Sequence, residues 1–386
     1  MAKIYGNKGS NFLRGTSADD RIVGRAGNDK ILGWGGRDVL LGGEGNDVIS
    51  VGSGALTDQI IGTYVSGDEG HDTVYLNLQG FSQDIFLGAD FTRVVAVADD
   101  GSTQTIVSMN AVEQVYLYTG SGDDYFHSNG ANNVVVSGAG QDRMVGGDGK
   151  DAFYTGDDDD VLFGHGGNDI LNGQNGDDLA YGGDGSDIMD GDDGADRLYG
   201  ENGADTIYGG YGQDILFGGD GPDRMGGDRD DDRIYGGTGA DRINGGTGED
   251  ILYGEDGRDT LSGDDGSDRL YGGLGPDTLH GGTGHDRFIW KSLDEGGDRI
   301  LDFQSGQDLI LIDKDALGGI TSIDAGNFVS NAAGVAKDAD DYFLYSQNTR
   351  GLFFDPDGSG AAAKILIAHI DFASGSTLEL TDIVIG

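Results

Sequence analysis

Gly182-Gly183-Asp184-Gly185-Ser186-Asp187-Ile188-Met189-Asp190 is one statement of a nine-residue phrase, Gly-Gly-x-Gly-x-Asp-x-U-x with U a large apolar residue. From Thr119 to Ile289 the phrase runs nineteen times without loss of register, and its sixth position is Asp in eighteen copies, Asn133 being the exception. The eighth position reads Phe126, Val135, Met144, Phe153, Leu162, Leu171 and onward, with Ala180 the one small residue. Two selections act together, one for a carboxylate and one for a core side chain.

The period dictates a geometry. A stretch of x-U-x is long enough for one short strand only, and Gly-Gly-x-Gly-x-Asp is a tight turn that needs positive φ and close backbone approach. Two nonapeptides then make one flattened coil with a strand on each side, and the coils stack ~4.8 Å apart. Residues eighteen apart sit above one another. One edge carries Asp124, Asp142, Asp160, Asp178, Asp196, Asp214, Asp232, Asp250, Asp268 and Asp286; the other carries Asp151, Asp169, Asp187, Asp205, Asp223, Asp241, Asp259 and Asp277. Like charges stacked in this way repel unless a cation lies between the rungs.

Oxygen donors from carboxylates and unobstructed Gly carbonyls suit a hard divalent cation, with calcium the best fit. Soft metals are disfavoured, because the chain has no Cys and its six His are scattered. The phrase resembles that of RTX (repeats-in-toxin) proteins. The resemblance implies an all-β fold, a right-handed parallel β-roll, with a calcium ion between successive turns on each edge. The candidate ligands are the Asp residues of the two edges together with Asp20, Asp29, Asp38, Asp47 and Asp72 of the N-terminal copies.

Composition supplies a mechanism. The chain has 61 Asp against 8 Glu, 76 Gly and a formal net charge of -45. With apolar residues held to about every ninth position, such a chain cannot collapse unaided and is expected to be a disordered polyanion without metal. If roughly fifteen Ca2+ ions bind between rungs they cancel about thirty charges, so that metal binding is folding. Extracellular calcium modules bind with constants of about 0.1 to 1 mM, which places the switch outside the cell. The acidity excludes nucleic acid as a direct ligand. Absence of Cys fits a secreted protein stapled by metal rather than disulfides.

Taken in order, residues 1–75 read as an N-terminal roll segment. Met1 to Gly6 holds no signal-peptide-like apolar run, and no stretch of the chain reads as a transmembrane span, so Sec export is not expected. Copies from Gly6 to Ser50 place Asn11, Asp20, Asp29, Asp38 and Asp47 at the sixth position, and one more copy, Gly67 to Tyr75, carries Asp72. Residues 76–118 read as a β insertion, with a hairpin turn at Asp99-Asp100-Gly101-Ser102, whose expected role is to cover the apolar edge between two roll segments. Residues 119–289 are the main roll. Residues 290–386 read as a C-terminal β-rich cap: Gly297 to Phe303 and Gly306 to Ile312 resemble the segment that closes the roll in secreted RTX proteins. A hairpin is expected over Tyr342 to Phe354, and the loop Asp355 to Gly360 reads as a plain turn in preference to a further calcium site. Leu378 to Gly386, an acidic residue followed by an apolar tail, resembles an uncleaved type I secretion signal and reads equally as a last strand of the cap.

No catalytic motif stands outside the repeats: there is neither His-Glu-x-x-His nor Gly-x-Ser-x-Gly. The expectation is a non-enzymatic, secreted or cell-surface protein that folds on calcium and serves a structural or self-assembling role. A membrane-active or host-interacting effector is one alternative. A polysaccharide-acting enzyme or its targeting module is another, and an ice-binding roll is weaker for want of a regular file of Thr. The ninth position adds an expected partner surface. Phe163, Tyr181, Tyr199, Phe217, Tyr235, Tyr253, Tyr271 and Ile289 share one face, whereas the opposite face carries Asn172, Asp190, Tyr208, Gly226, Asn244, Ser262 and His280. A second copy of the chain is the expected occupant, with the chain's own insertion or a glycan as the alternatives.

Overall fold

The computed structural model describes residues 1–51, 63–79, 81, 83–87, 93–97, 103–110, 112–128, 130, 132–317, 320–337, 340–358, 363–373 and 377–386. It contains two compact units, Met1–Asp193 and Gly194–Gly386. Each is a parallel β-roll. Among the described residues, regular structure is strand except for three-to-four-residue 3-10 turns, and no helix is long and apolar enough to cross a membrane.

In the first unit, successive strands alternate between two parallel sheets. Arg21–Ala26 pairs with Val39–Glu44, aligning Ile22 with Leu40, while Lys30–Leu32 pairs with Val48–Val51, aligning Ile31 with Ile49. The eighteen-residue register continues from Val134–Ala139 through Ala152–Asp157 and Ile170–Asn175 to Ile188–Asp193. Between these stretches the two sheets behave differently. One closes directly, with Thr73–Asn77 parallel to Gln114–Tyr118. The other takes in three additional strands, Asp84–Leu87, Arg93–Val97 and Thr103–Asn110, the middle one antiparallel to each of its neighbours. The outer two pair in parallel with roll strands: Thr103–Asn110 with Thr63–Glu69, and Asp84–Leu87 with Tyr125–His127. The β insertion is thus spliced edge to edge into the sheet, so that ladder hydrogen bonds continue across it. The hairpin turn expected at Asp99 to Ser102 lies outside the described residues.

The second unit repeats the pattern from Arg197–Gly203 to Arg287–Trp290 in one sheet and from Thr206–Tyr211 to Thr278–Thr283 in the other. Asp298–Phe303 then joins Thr278–Thr283, and Leu309–Ile312 joins Arg287–Trp290, both in parallel. The last strand, Ile383–Ile385, lies parallel to Leu309–Ile312. The hairpin read in the sequence forms between Phe343–Ser346 and Gly351–Phe354, with Phe343 opposite Phe354.

Eighth-position side chains of both units face inward. Ile22, Leu40, Phe126, Leu162, Ile207, Ile234 and Leu270 are fully buried, and Ala180 is nearly so. The turns take the strained backbone that the phrase requires. In most copies its second residue is left-handed whether Gly or not, with φ 109° at Gly183, 70° at Glu201 and 70° at Glu255. A non-Gly residue there costs backbone energy that the stacked neighbours must offset.

Candidate metal sites along the two ladders

The backbone builds the site first. With the eighth position fixed inward by burial, strand alternation also turns the sixth inward, and the turn brings its carboxylate under the coil above. None of the twenty-three candidate Asp is more than 3% exposed, so each lies inside the stack. A repeated hydrogen bond sets the geometry: the N–H of each Asp donates to Oδ1 of the Asp one coil on. In the second unit these bonds run Asp196 to Asp214, Asp214 to Asp232, Asp232 to Asp250, Asp250 to Asp268 and Asp268 to Asp286, at 2.8 to 3.0 Å. The other edge runs Asp205 to Asp223, Asp241, Asp259 and Asp277 in the same way. In the first unit, Asp124 to Asp142, Asp160 and Asp178 form one ladder and Asp151 to Asp169 and Asp187 another. Asp20 to Asp38 and Asp29 to Asp47 and Asp72 form the N-terminal ladders.

This bond uses one carboxylate oxygen. The second, Oδ2, is buried and accepts no hydrogen bond in Asp169, Asp223, Asp232, Asp241, Asp250 and Asp259, among others. It points at the Cα of the Gly that opens its own phrase. A Cβ placed on Gly236 would stand 2.7 Å from Asp241 Oδ2 and 2.7 Å from the Gly254 carbonyl oxygen of the next coil. First-position glycine therefore leaves a small cradle bounded by an orphaned carboxylate oxygen and a carbonyl. A buried ionised oxygen with no partner is costly, and an ion with oxygen ligands removes that cost. The donor set fits calcium. Among the described residues no three His, Cys, Asp or Glu side chains converge, so an ion between rungs would draw on carbonyls as well as on paired carboxylates.

Burial raises many of the carboxyl groups in the ladders of residues 124–286. Desolvation is the largest cause, with neighbouring ladder carboxylates adding to it and the backbone N–H working against it. Asp160 and Asp232 are pushed up to about 8, Asp169, Asp259 and Asp268 to about 7, and Asp142 and Asp250 to about 6. The metal-free chain is the species with these raised carboxyl groups. A carboxyl raised in the fold binds more protons folded than unfolded, so its contribution to stability is present below the unfolded value and is lost as pH rises through 6 to 8. In excess chelator the β-sheet circular dichroism signal is therefore expected to grow as pH falls from about 8 to about 5, whereas calcium affinity falls over the same interval. Equal disorder of the stripped protein at both pH values would contradict the assignment of buried carboxyls.

At the ends of the ladders the protein supplies the second partner itself. Asp20 Oδ2 accepts from the Thr16 amide and hydroxyl at 2.7 and 2.8 Å. Asp298 Oδ2 accepts from the Trp290 indole at 2.8 Å, and Asp308 Oδ2 accepts from the Gln304 amide at 2.7 Å. Sequence reasoning did not place these last two residues on the ladders. Asp277 N–H donates to Asp298 and Asp286 N–H to Asp308, across intervals of 21 and 22 residues. The usable signal was the Asp-x-apolar triplet, Asp298-Arg299-Ile300 and Asp308-Leu309-Ile310. Glu113 accepts from Asp72 N–H, and Thr63 from Asp38 N–H, each in the place of an Asp.

The RTX calcium-binding nonapeptide repeat family, in its four-copy form, matches residues 5–40, 24–55, 118–153, 154–189, 163–198, 190–225, 226–261 and 262–289, together more than half of the chain. The chain belongs to the RTX calcium-binding repeat family. Among solved structures, this RTX chain is similar to the AlgE6R3 subunit of the Azotobacter vinelandii mannuronan C5-epimerase, at 30% identity over 41% of this chain and 80% of that one, with a TM-score of 0.20. It is also similar to the extracellular lipase LipA from Serratia marcescens, at 13% identity over all of this chain and 40% of that one, with a TM-score of 0.16. No curated protein matches it.

Proposed function

We propose that this RTX protein is secreted by a type I route, folds on meeting extracellular calcium, and serves a non-catalytic structural role at the cell surface or in a matrix by self-association. The observation that carries the calcium step is the row of buried Asp Oδ2 atoms aimed at first-position glycines and next-coil carbonyls. The candidate ligands are the sixth-position Asp residues, and about fifteen or more ions is the expected load.

Support for self-association comes from one face of the second unit. Tyr199, Phe217, Tyr235, Tyr253 and Tyr271 stack on one another at centroid distances of 4.4 to 4.8 Å, and all remain half-buried. Arg197, Arg233 and Arg269 rise from the same strands. Stacking accounts for part of the selection of aromatics, while a row of half-exposed rings still gains from cover. Replacing Tyr199, Tyr235 and Tyr253 by Ser is expected to leave the calcium load unchanged and to abolish calcium-dependent assembly in light scattering. A calcium-loaded wild type that stays monomeric at high concentration sinks the self-association, and retention of that monomer on an alginate matrix would point instead to a glycan.

A further inference from the structure

Where the insertion rejoins the roll, one turn is cut short. Asn110 pairs with Ser66 and Gln114 with Thr73, so the chain crosses in three residues, 111–113, where the preceding coil uses six, 67–72. The following coil again has a six-residue turn, 128–133, between Tyr125–His127 and Val134–Ala139. A short turn between two full ones leaves a cleft, and its volume is about 480 Å3. His71, Asp72 and Thr73 line it from one coil, Gly130 and Asn132 from the other, and Glu113 and Gln114 stand at the end of the short turn between them. That volume lies within the range of small-molecule sites, about 300 to 1,000 Å3.

Internal bonds use only part of each polar group in the cleft. Glu113 Oε2 accepts from Asp72 N–H at 2.8 Å, Gln114 Oε1 from the Thr73 hydroxyl at 3.3 Å, and Asn132 Oδ1 from Lys150 N–H at 2.8 Å. Among the described residues no hydrogen-bond partner meets Glu113 Oε1, the side-chain nitrogens of Gln114 and Asn132, or the His71 ring. Acceptor and donors therefore stand side by side, and that mixture separates the ligand classes. A hard metal ion needs acceptors alone, and an ammonium group brings donors alone. Hydroxyl groups do both. The lining holds no Lys or Arg, so an anionic sugar would meet Asp72 and Glu113 without a compensating cation. Two residues further along the same strands, on the same face as Thr73 and Gln114, Tyr75 and Tyr116 stack at 4.3 Å and stay half-buried. They set an apolar edge beside the polar cleft, which suits rings that carry both C–H and hydroxyl groups.

We propose that this cleft binds a neutral glycan, with Glu113 Oε1 accepting from sugar hydroxyls and the Gln114 and Asn132 amides donating to them. The site belongs to the first unit and shares no residue with the aromatic row from Tyr199 to Tyr271 in the second.

The test is calorimetric titration of the full chain, in saturating calcium, with neutral tetrasaccharides of glucose, galactose and mannose and with tetragalacturonate as the acidic comparison. At least one neutral sugar is expected to bind, and more tightly than tetragalacturonate. The variant Q114E/N132D replaces both amide nitrogens by oxygen but keeps an acceptor for the Thr73 hydroxyl and for Lys150 N–H. Asp123 and Asp159 already accept a main-chain N–H in the way required at position 132. The variant is expected to bind the sugar about tenfold more weakly or worse, with its β-sheet circular dichroism unchanged. No binding of any of the neutral tetrasaccharides, tighter binding of tetragalacturonate, or unchanged affinity in the variant overturns the proposal. Should the variant fold poorly, hydrogen exchange of wild type with and without the sugar decides. Thr73–Asn77 and Gln114–Tyr118 are expected to gain protection, and protection confined to other strands overturns the proposal. The variant Y199S/Y235S/Y253S is expected to bind the sugar as wild type does, and loss of binding there would move the sugar to the aromatic row and overturn the assignment to the cleft.

Discussion

Withdrawing calcium is expected to abolish the β-sheet circular dichroism signal of the full chain at neutral pH, and millimolar calcium, but not magnesium, is expected to restore it. The physical basis is the balance of two terms. Net charge is -45, and a large set of carboxylates is stacked with almost no exposure, so the metal-free fold carries both mutual repulsion and desolvation. Apolar burial comes mainly from one side chain per nonapeptide, which is too little to outweigh those terms. Calcium removes repulsion and supplies a partner to each orphaned Oδ2. Magnesium demands a tight octahedron and gives up water reluctantly, whereas the ladders offer carbonyls and carboxylates in an open, adaptable arrangement. A full β signal in excess chelator at neutral pH would refute this expectation.

Removal of residues 290–386 is expected to abolish calcium-induced folding of the second unit's repeats at ordinary calcium levels, read as loss of the circular dichroism transition. Without that segment Thr278–Thr283 loses its parallel partner Asp298–Phe303, and Arg287–Trp290 loses Leu309–Ile312. Leu279 and Phe288, now buried, would face water at an open sheet edge. The ladders would end on Asp277 and Asp286 without the carboxylates of Asp298 and Asp308 that accept their N–H groups. Stacked coils have no local nucleus, so an end that arrests fraying matters more here than in a globular core. An unchanged calcium titration in the truncated chain would contradict it.

The repeat was legible because its constraints are local and periodic. A nine-residue period admits one short strand and one glycine turn, so parallel coils, an inward eighth position and eighteen-residue stacking follow without knowledge of any tertiary contact. The carboxylate edges came from the same register, since Asp142 and Asp160 must stack if Met144 and Leu162 do. Tertiary structure alone decided what happens where the period breaks. Thr63, Glu113, Asp298 and Asp308 enter the ladders across intervals of 25, 41, 21 and 22 residues, because hydrogen-bond register is set by which strands meet in space and not by chain spacing. Likewise, Thr119, Ser137 and Thr155 are unremarkable small residues in the phrase. Their hydroxyls find acceptors only when the next coil places a carbonyl within reach of each, a contact that depends on two coils at once.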